Sequence, residues 1–294
     1  MKRAAMAVII LAGTLSLWAQ QNATTQTPPA GQTGAAQATT PPAKRPPQAK
    51  TQAEYQDYQA AVAKANDPTA LETAANDFAT KYPDSELRIL LYKQAMNGYR
   101  SANNPAKMME MGRKVLAIDP DSPEALLGVG EVLVERTHDT DLDKQQRWDE
   151  ATKLLQHSLE TVDTDIVVPP STPQDKLDAY KSDMRSTAYS LLGTLCYNQA
   201  KYPDAENYYQ KSLDAFPSQP DPVVVLRLAL TLDKEGRYPD ALKQADRAVE
   251  LSAQLPAIAG PAKSEHDRLV QLTGGIPSSD SSAPANPQTP APPK

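Results

Sequence analysis

Two stretches of the sequence decide the fold: KYPDAENYYQKSLDAFP (Lys201–Pro217) and RYPDALKQADRAVELSA (Arg237–Ala253). Each contains the tetrapeptide Tyr-Pro-Asp-Ala and continues with apolar residues at helical spacing. The alanines that end the two tetrapeptides, Ala205 and Ala241, are 36 residues apart. A turn that recurs at a period of this size is typical of a helical repeat protein.

Alignment on these alanines matches residues of one unit with residues of the next. The pairs are Leu192 with Leu228, Gly193 with Ala229, Cys196 with Leu232, Tyr209 with Ala245, and Leu213 with Val249. Small residues stand where the two helices of a hairpin must cross closely, namely Gly193, Ala205, Ala229 and Ala241. Each unit is therefore predicted to be a helix, a tight turn and a second helix, which Pro217 prevents from continuing.

The first of these units resembles the tetratricopeptide repeat, a family with a period of about 34 residues. The residues that carry the resemblance are Tyr189, Leu192, Gly193, Ala205, Tyr209 and Pro217, with Cys196 in place of a tyrosine. The resemblance implies an all-α solenoid of helix-turn-helix repeats. It also implies that the first helices of successive units line a concave groove that receives a peptide or protein segment.

We predict about five such units in a solenoid that spans residues 51–275. The units cover residues 53–85, 88–121, 123–162, 174–219 and 222–254, and a capping helix follows at 262–272. The second unit departs from the repeat pattern at Met108 and Gly112, where the family has an alanine and an aromatic residue. Because one unit cannot bury its own apolar face, stacking of units must supply the core.

The two ends of the chain differ in composition from the centre. Residues 1–19 combine a basic pair with an apolar run and predict a signal peptide, with an uncleaved anchor as the alternative. We therefore expect export to the periplasm or cell envelope, or secretion, with no membrane span after cleavage. Residues 20–50 (rich in Pro, Thr and Ala) and 276–294 (rich in Pro and Ser) lack hydrophobic periodicity, so we predict disordered tails there.

The charge of the chain excludes one class of partner. The whole chain has 30 basic and 36 acidic residues, and without residues 1–50 and 276–294 the counts are 24 and 35, a net charge of −11. A nucleic-acid-binding domain needs a basic face, so we expect no nucleic acid. The expected partner is a protein or peptide segment. No phosphate-binding loop, Cys/His cluster or nucleophile motif is present, so we predict no enzyme, cofactor, metal site or catalytic residue.

The candidate groove residues are the non-core positions of the first helices. They are Lys64, Lys93, Asn97, Arg100, Glu131, Glu135, Tyr197, Asn198, Asp233 and Lys234. Lys93, Asn97 and Arg100 stand at i, i+4 and i+7, so they share one helix face. They resemble half of the Lys-Asn clamp of chaperone-binding family members, but Gly128 and Leu191 stand where the other half is needed. We predict a salt-sensitive contact between this basic group and an acidic side chain or chain terminus of the partner.

Two insertions leave other interpretations open. The segment DTDLDKQQRWDE (Asp139–Glu150) has acidic residues at the positions of a calcium loop, but Lys144 stands where the loop needs a glycine. The segment IVVPP (residues 166–170) either packs on the solenoid or docks a partner as an extended strand. The alternatives to a free scaffold are thus an adaptor or assembly subunit of a cell-envelope machine, as in outer-membrane or pilus biogenesis, and an enzyme or calcium-regulated module built on residues 136–150.

Overall fold

The computed structural model describes residues 44–169 and 171–274, which lie in the compact unit Ala43–Lys294. This part of the chain contains eleven α-helices and no strand. The helices are α1 (Gln52–Val62), α2 (Pro68–Lys81), α3 (Arg88–Ser101), α4 (Pro105–Ile118), α5 (Pro123–Arg136), α6 (Lys144–Thr161), α7 (Gln174–Asn198), α8 (Tyr202–Ala215), α9 (Pro222–Lys234), α10 (Tyr238–Ser252) and α11 (Pro256–Leu272). The predicted signal peptide, most of the N-terminal linker and the C-terminal tail lie outside the described residues.

Each helix packs against the next helix along the chain. The first ten helices form five hairpins, and α11 packs against α10. The first helices of successive units also approach one another, since α1 contacts α3, α5 contacts α7, and α9 contacts α11. Contacts between neighbours only are what stacked repeats produce. The predicted all-α solenoid of helix-turn-helix units is therefore confirmed.

The turn inside a hairpin has the same backbone conformation in three units. A left-handed residue stands in each of these turns: Asn103 (φ 53°), Ala200 (φ 57°) and Gly236 (φ 74°). The residue after it donates its N–H to the carbonyl five positions earlier, at 2.9–3.0 Å. A proline then occupies one of the first two positions of the second helix. Proline lacks a backbone N–H, and this costs no hydrogen bond here because N–H groups of the first turn have no acceptor within the helix. The tetrapeptide Tyr-Pro-Asp-Ala thus marks the start of α8 and of α10.

Small residues allow the helices of a hairpin to touch. A Cβ on Gly193 of α7 would lie 2.7 Å from two ring atoms of Tyr209 in α8, closer than carbon atoms can approach. The other small repeat positions, Ala205, Ala229 and Ala241, are fully buried. Of the remaining repeat positions, Leu192, Tyr209 and Leu228 are buried, Tyr189 is half-buried, and Pro217 is exposed.

The second unit compensates for its departures from the repeat pattern by packing on the third unit. A Cβ on Gly112 of α4 would lie 2.7 Å from Val129 of α5, so the glycine admits a side chain from the neighbouring unit. Met108 is buried, and its methyl group would lie 3.3 Å from a Cβ on Gly128. The space that an aromatic side chain at position 112 would fill in the repeat pattern is thus filled here by Val129 of the next hairpin.

The segment 44–50, which we call the N-terminal strap, contradicts the prediction of disorder up to residue 50. Lys44 Nζ lies 2.5 Å from Asp119 Oδ1 and 3.5 Å from Asp165 Oδ1. Arg45 donates to both carboxylate oxygens of Glu86, at 2.8 and 2.5 Å. The prediction of disorder considered only the shortage of apolar residues. It missed that the acidic loops between units pair with the two basic residues.

The last helix is longer than predicted. It begins at Pro256 instead of residue 262, and Pro261 stands inside it. Proline is favourable at the first helical position, and at Pro261 the helix gives up one backbone hydrogen bond without ending. Ala262, Glu265 and Leu269 are buried, so one face of α11 covers the end of the solenoid.

The second insertion packs on the solenoid. Ile166 is buried, and Val168 packs against the same apolar cluster, which also contains Leu191 and Leu192 of α7. This outcome confirms the packing interpretation of the IVVPP segment for these two residues.

We expect Gly193→Ala to lower the free energy of unfolding by about 1–3 kcal/mol, because the new methyl group overlaps the ring of Tyr209. Asn207→Ala is the matched control. Asn207 is exposed inside α8 of the same hairpin, so alanine should raise stability there by about 0.5 kcal/mol through its higher helix propensity. Urea unfolding of the two variants measures both effects. Two shifts of the same sign would contradict the close helix crossing.

We expect Ala200→Gly to raise the free energy of unfolding by about 1 kcal/mol, because Ala200 is exposed and its left-handed backbone is strained for a residue with a Cβ. The reverse change, Gly236→Ala, introduces the same strain at the equivalent turn and should lower stability by about 1 kcal/mol. Thermal unfolding of both variants tests the equivalence of the turns. If the two variants do not shift the melting temperature in opposite directions from the wild-type value, the two turns are not equivalent.

Candidate binding cleft

The first helices α3, α5, α7, α9 and α11 form one continuous surface, which we call the first-helix face. Helices α5 and α7 are in direct contact, as are α9 and α11. Side chains bridge the remaining gaps, from α3 to α5 and from α7 to α9.

The basic group on α3 is not free for a partner. Lys93 Nζ lies 3.0 Å from Glu124 Oε2, and each of these side chains is only 17% exposed. Arg100 Nη2 lies 2.8 Å from Glu131 Oε2. Asn97 is exposed on the same face. Carboxylates of α5 therefore already pair with both cations of the predicted contact.

The N-terminal part of α7 lies close to the same region. Helix α7 has 25 residues, against 14 in α3 and α5, and its extra turns include Leu177 and Tyr180. Both residues pack against the cluster that contains the buried residues of α5 and α6. Burial raises the pKa of the Tyr180 phenol well above its usual range, with the Glu124 carboxylate adding to the shift and the Arg100 guanidinium opposing it. Residues of the chain itself therefore occupy much of the surface beside these ion pairs.

The other predicted groove residues are dispersed. Lys64 lies in the turn after α1, outside the helix that was expected to present it. Glu135 and Lys234 are exposed at the ends of α5 and α9. Asp233 is largely buried and lies 2.6 Å from the Arg268 guanidinium, so it ties α9 to α11. Tyr197 and Asn198 border a cavity.

This cavity, the α7–α9 cleft, has a volume of about 200 Å³. It is lined by Thr194, Tyr197 and Asn198 of α7, Tyr209 of α8, and Arg227 and Leu230 of α9. Sequence reasoning missed Thr194, Arg227 and Leu230. The available signal was the stretch VVVLRLAL (Val223–Leu230), in which a single arginine interrupts an apolar run.

The polar groups of the cleft form a short chain of hydrogen bonds. Arg227 Nη1 donates to Thr194 Oγ1 at 2.6 Å, and the Tyr209 hydroxyl donates to the same oxygen at 3.3 Å. Thr194 Oγ1 in turn donates to the Ser190 carbonyl. Burial raises the pKa of the Tyr209 phenol, and the positive charge of Arg227 acts in the opposite direction. The tyrosine therefore stays protonated and acts as a donor.

A second cleft, of about 310 Å³, is bordered by α2 and the start of α4. Glu72 is buried there, accepts a hydrogen bond from the Tyr99 hydroxyl at 2.5 Å, and lies 2.8 Å from Lys107 Nζ. The positive and negative charges of this cleft therefore neutralise each other. It offers a ligand no unpaired charge.

The calcium-like insertion is arranged around cations of the protein. Lys144 Nζ donates to the Asp139 carbonyl at 3.0 Å, Arg147 pairs with Asp143, and Arg113 pairs with Glu150. The described residues contain no group of three or more His, Cys, Asp or Glu side chains placed to hold a metal ion. Asp143 precedes α6 but makes no side-chain capping bond, because its carboxylate accepts from Arg147 instead.

Cys196 is half-buried beside the last apolar cluster, and burial raises the pKa of its thiol. A raised thiol pKa leaves less of the reactive thiolate at neutral pH.

None of the helices in residues 44–169 and 171–274 combines the length and hydrophobicity required to cross a bilayer.

Comparison with known proteins places this arrangement among solved structures. No protein-family model matches the chain, and no curated protein matches it in sequence. The structure is similar to MamA (residue 41 to the end) from Desulfovibrio magneticus RS-1, with 14% identity, a TM-score of 0.51, and coverage of 70% of this chain and 99% of that chain.

Two further solved structures have lower TM-scores. TTC0263, a thermophilic tetratricopeptide-repeat protein from Thermus thermophilus, is 14% identical with a TM-score of 0.45, covering 72% of this chain and 98% of its own. PilF of Pseudomonas aeruginosa is 21% identical with a TM-score of 0.45, covering 76% of this chain and 93% of its own. The five stacked hairpins, their recurrent turn and the likeness to MamA together show that this chain has the tetratricopeptide-repeat fold.

Proposed function

We propose that this protein is an exported, non-catalytic scaffold that binds a protein or peptide segment on its first-helix face, at the α7–α9 cleft. The observation that carries the proposal is the composition of this cleft. It combines an aliphatic side chain (Leu230), an aromatic ring (Tyr197), an amide (Asn198) and a guanidinium (Arg227). By contrast, Lys93 and Arg100 of α3 are already paired with Glu124 and Glu131.

The size of the cleft favours a peptide over a small metabolite. Sites for small molecules usually enclose about 300–1,000 Å³, whereas this cleft encloses about 200 Å³. A volume of this size accepts one or two side chains of a segment that lies across α7 and α9. The amide of Asn198 can then donate to and accept from the backbone of that segment.

We further propose that the protein is exported, with the periplasm or cell envelope as its location. The support is the apolar run of residues 1–19 with its preceding basic pair, which lies outside the described residues. A role as an adaptor in an envelope complex is compatible with the same cleft, because a scaffold and an adaptor both need a peptide-binding surface.

Selection of random peptides on the purified full chain tests the binding site. We expect peptides that bind the wild-type protein to lose at least about tenfold in affinity for Leu230→Arg, because the longer charged side chain fills the cleft. Leu272→Arg is the matched control, since Leu272 is exposed at the end of α11, away from the cleft lining. The readout is fluorescence anisotropy of the labelled peptides, with circular dichroism to verify that both variants are folded.

Equal affinity of the selected peptides for Leu230→Arg and the wild-type protein would contradict binding at the cleft. Asn198→Ala provides a second test, because Asn198 is exposed and its truncation removes hydrogen bonds without disturbing the core.

Export is tested by expressing the full chain in a bacterium and measuring the mass of the protein recovered from the envelope fraction. We expect the mass to be lower by the residues up to Ala19. An intact protein found only in the cytoplasmic fraction would contradict export, and an intact protein in the membrane fraction would support the uncleaved anchor instead.

A further inference from the structure

Among the described residues that line the α7–α9 cleft, Arg227 is the only charged one. It lies on α9 inside the apolar stretch VVVLRLAL, in which the nearby residues Val225 and Leu228 are buried. Arg227 is itself half-buried. A cation that is partly removed from water needs an anionic or hydrogen-bonding partner, because burial of an unpaired charge is unfavourable.

Several other cations near the first-helix face have carboxylate partners. Lys93 pairs with Glu124, Arg100 with Glu131, and Arg268 with both Asp233 and Glu265. Lys107, in the cleft beside α2, pairs with Glu72. Within residues 44–169 and 171–274, no carboxylate lies within ion-pair distance of Arg227. Arg227 combines this lack of a carboxylate partner with a place in the cleft lining, so it is the group on which the charge of a segment bound there would act.

The hydrogen bond to Thr194 fixes the guanidinium without neutralising it. A guanidinium has five N–H donors, and the bond from Arg227 Nη1 to Thr194 Oγ1, at 2.6 Å, occupies one of them. The Thr194 hydroxyl is uncharged and is held in turn by the Ser190 carbonyl, at 2.9 Å. The remaining donors match the two oxygens of a carboxylate, which binds a guanidinium with paired hydrogen bonds.

We propose that the segment bound in this cleft presents a side-chain carboxylate, from Asp or Glu, beside an aliphatic side chain. The carboxylate pairs with Arg227, and the aliphatic side chain packs against Leu230 and the ring of Tyr197. An internal residue fits better than a chain terminus, because the cleft lies along α9 and the first-helix face continues past it to α11. This inference rests on the proposed function and specifies the chemistry of its ligand.

The test uses random peptides displayed on phage by fusion through their C-termini, so that only side-chain carboxylates are available. Selection on the full chain should enrich Asp or Glu next to Leu, Ile, Val or Met. A selected peptide should lose about tenfold or more in affinity when its acidic residue is changed to the corresponding amide, and by a similar factor for Arg227→Gln. Combining both changes should produce little further loss, because each change removes the same ion pair.

Arg247→Gln is the matched control, since Arg247 is exposed on α10 and does not line the cleft. It should leave the affinity unchanged. If Arg227→Gln does not fold, the peptide with Glu→Gln against the wild-type protein still measures the ion pair.

Two results would overturn the inference while leaving the proposed function intact. One is enrichment of peptides without acidic residues that still lose affinity for Leu230→Arg. The other is an acidic peptide whose affinity does not change on Glu→Gln. Peptides that bind Leu230→Arg and the wild-type protein equally would overturn the proposed function itself, and the inference with it.

Discussion

The close approach of two helices within a hairpin is the constraint on which this structure depends. In the fourth hairpin the ring of Tyr209 lies directly against the backbone of Gly193, in space that a Cβ would fill. A single hairpin closed in this way still exposes the apolar side of both helices. Burial of that side requires the next hairpin, so the order of helices in space repeats their order in sequence. The first-helix face is a direct product of this stacking, because it brings residues from different units side by side.

Ion pairs between neighbouring units fix how the hairpins are aligned. Lys93 with Glu124 and Arg100 with Glu131 are both separated by 31 residues, as are Arg237 and Glu206. An exposed pair such as Arg237 with Glu206 contributes about 0–1 kcal/mol and adds little to stability by itself, whereas Lys93 and Glu124 are largely buried. Their common separation shows instead that they select one alignment between units. These charges are already paired within the protein, whereas the guanidinium of Arg227 in the cleft has no carboxylate partner among the described residues.

The sequence predicts the repeats well because turns and small residues act locally. Tyr-Pro-Asp-Ala starts a helix wherever it occurs, and Gly193 is recognisable from its position in the aligned units. The candidate site is predicted less well, since its chemistry depends on residues from different units. Lys93 gives no indication that Glu124 will neutralise it. The sequence around Arg227 is equally uninformative about its environment, because a charged residue in an apolar helix can face water, a carboxylate or a cavity. Only the packing of α9 on α7 determines which of these it faces.

The N-terminal strap changes how the solenoid would bear a mechanical load. A pull on the chain ahead of Lys44 first reaches Asp119 and Asp165, in the loops after α4 and α6, and Glu86, in the loop before α3. The force is thus shared among three loops before it reaches α1. Without the strap, the same pull would peel α1 from α2 and then open the hairpins one at a time. With the strap in place, tension acts across several units together, and the ion pairs must break before any helix is detached.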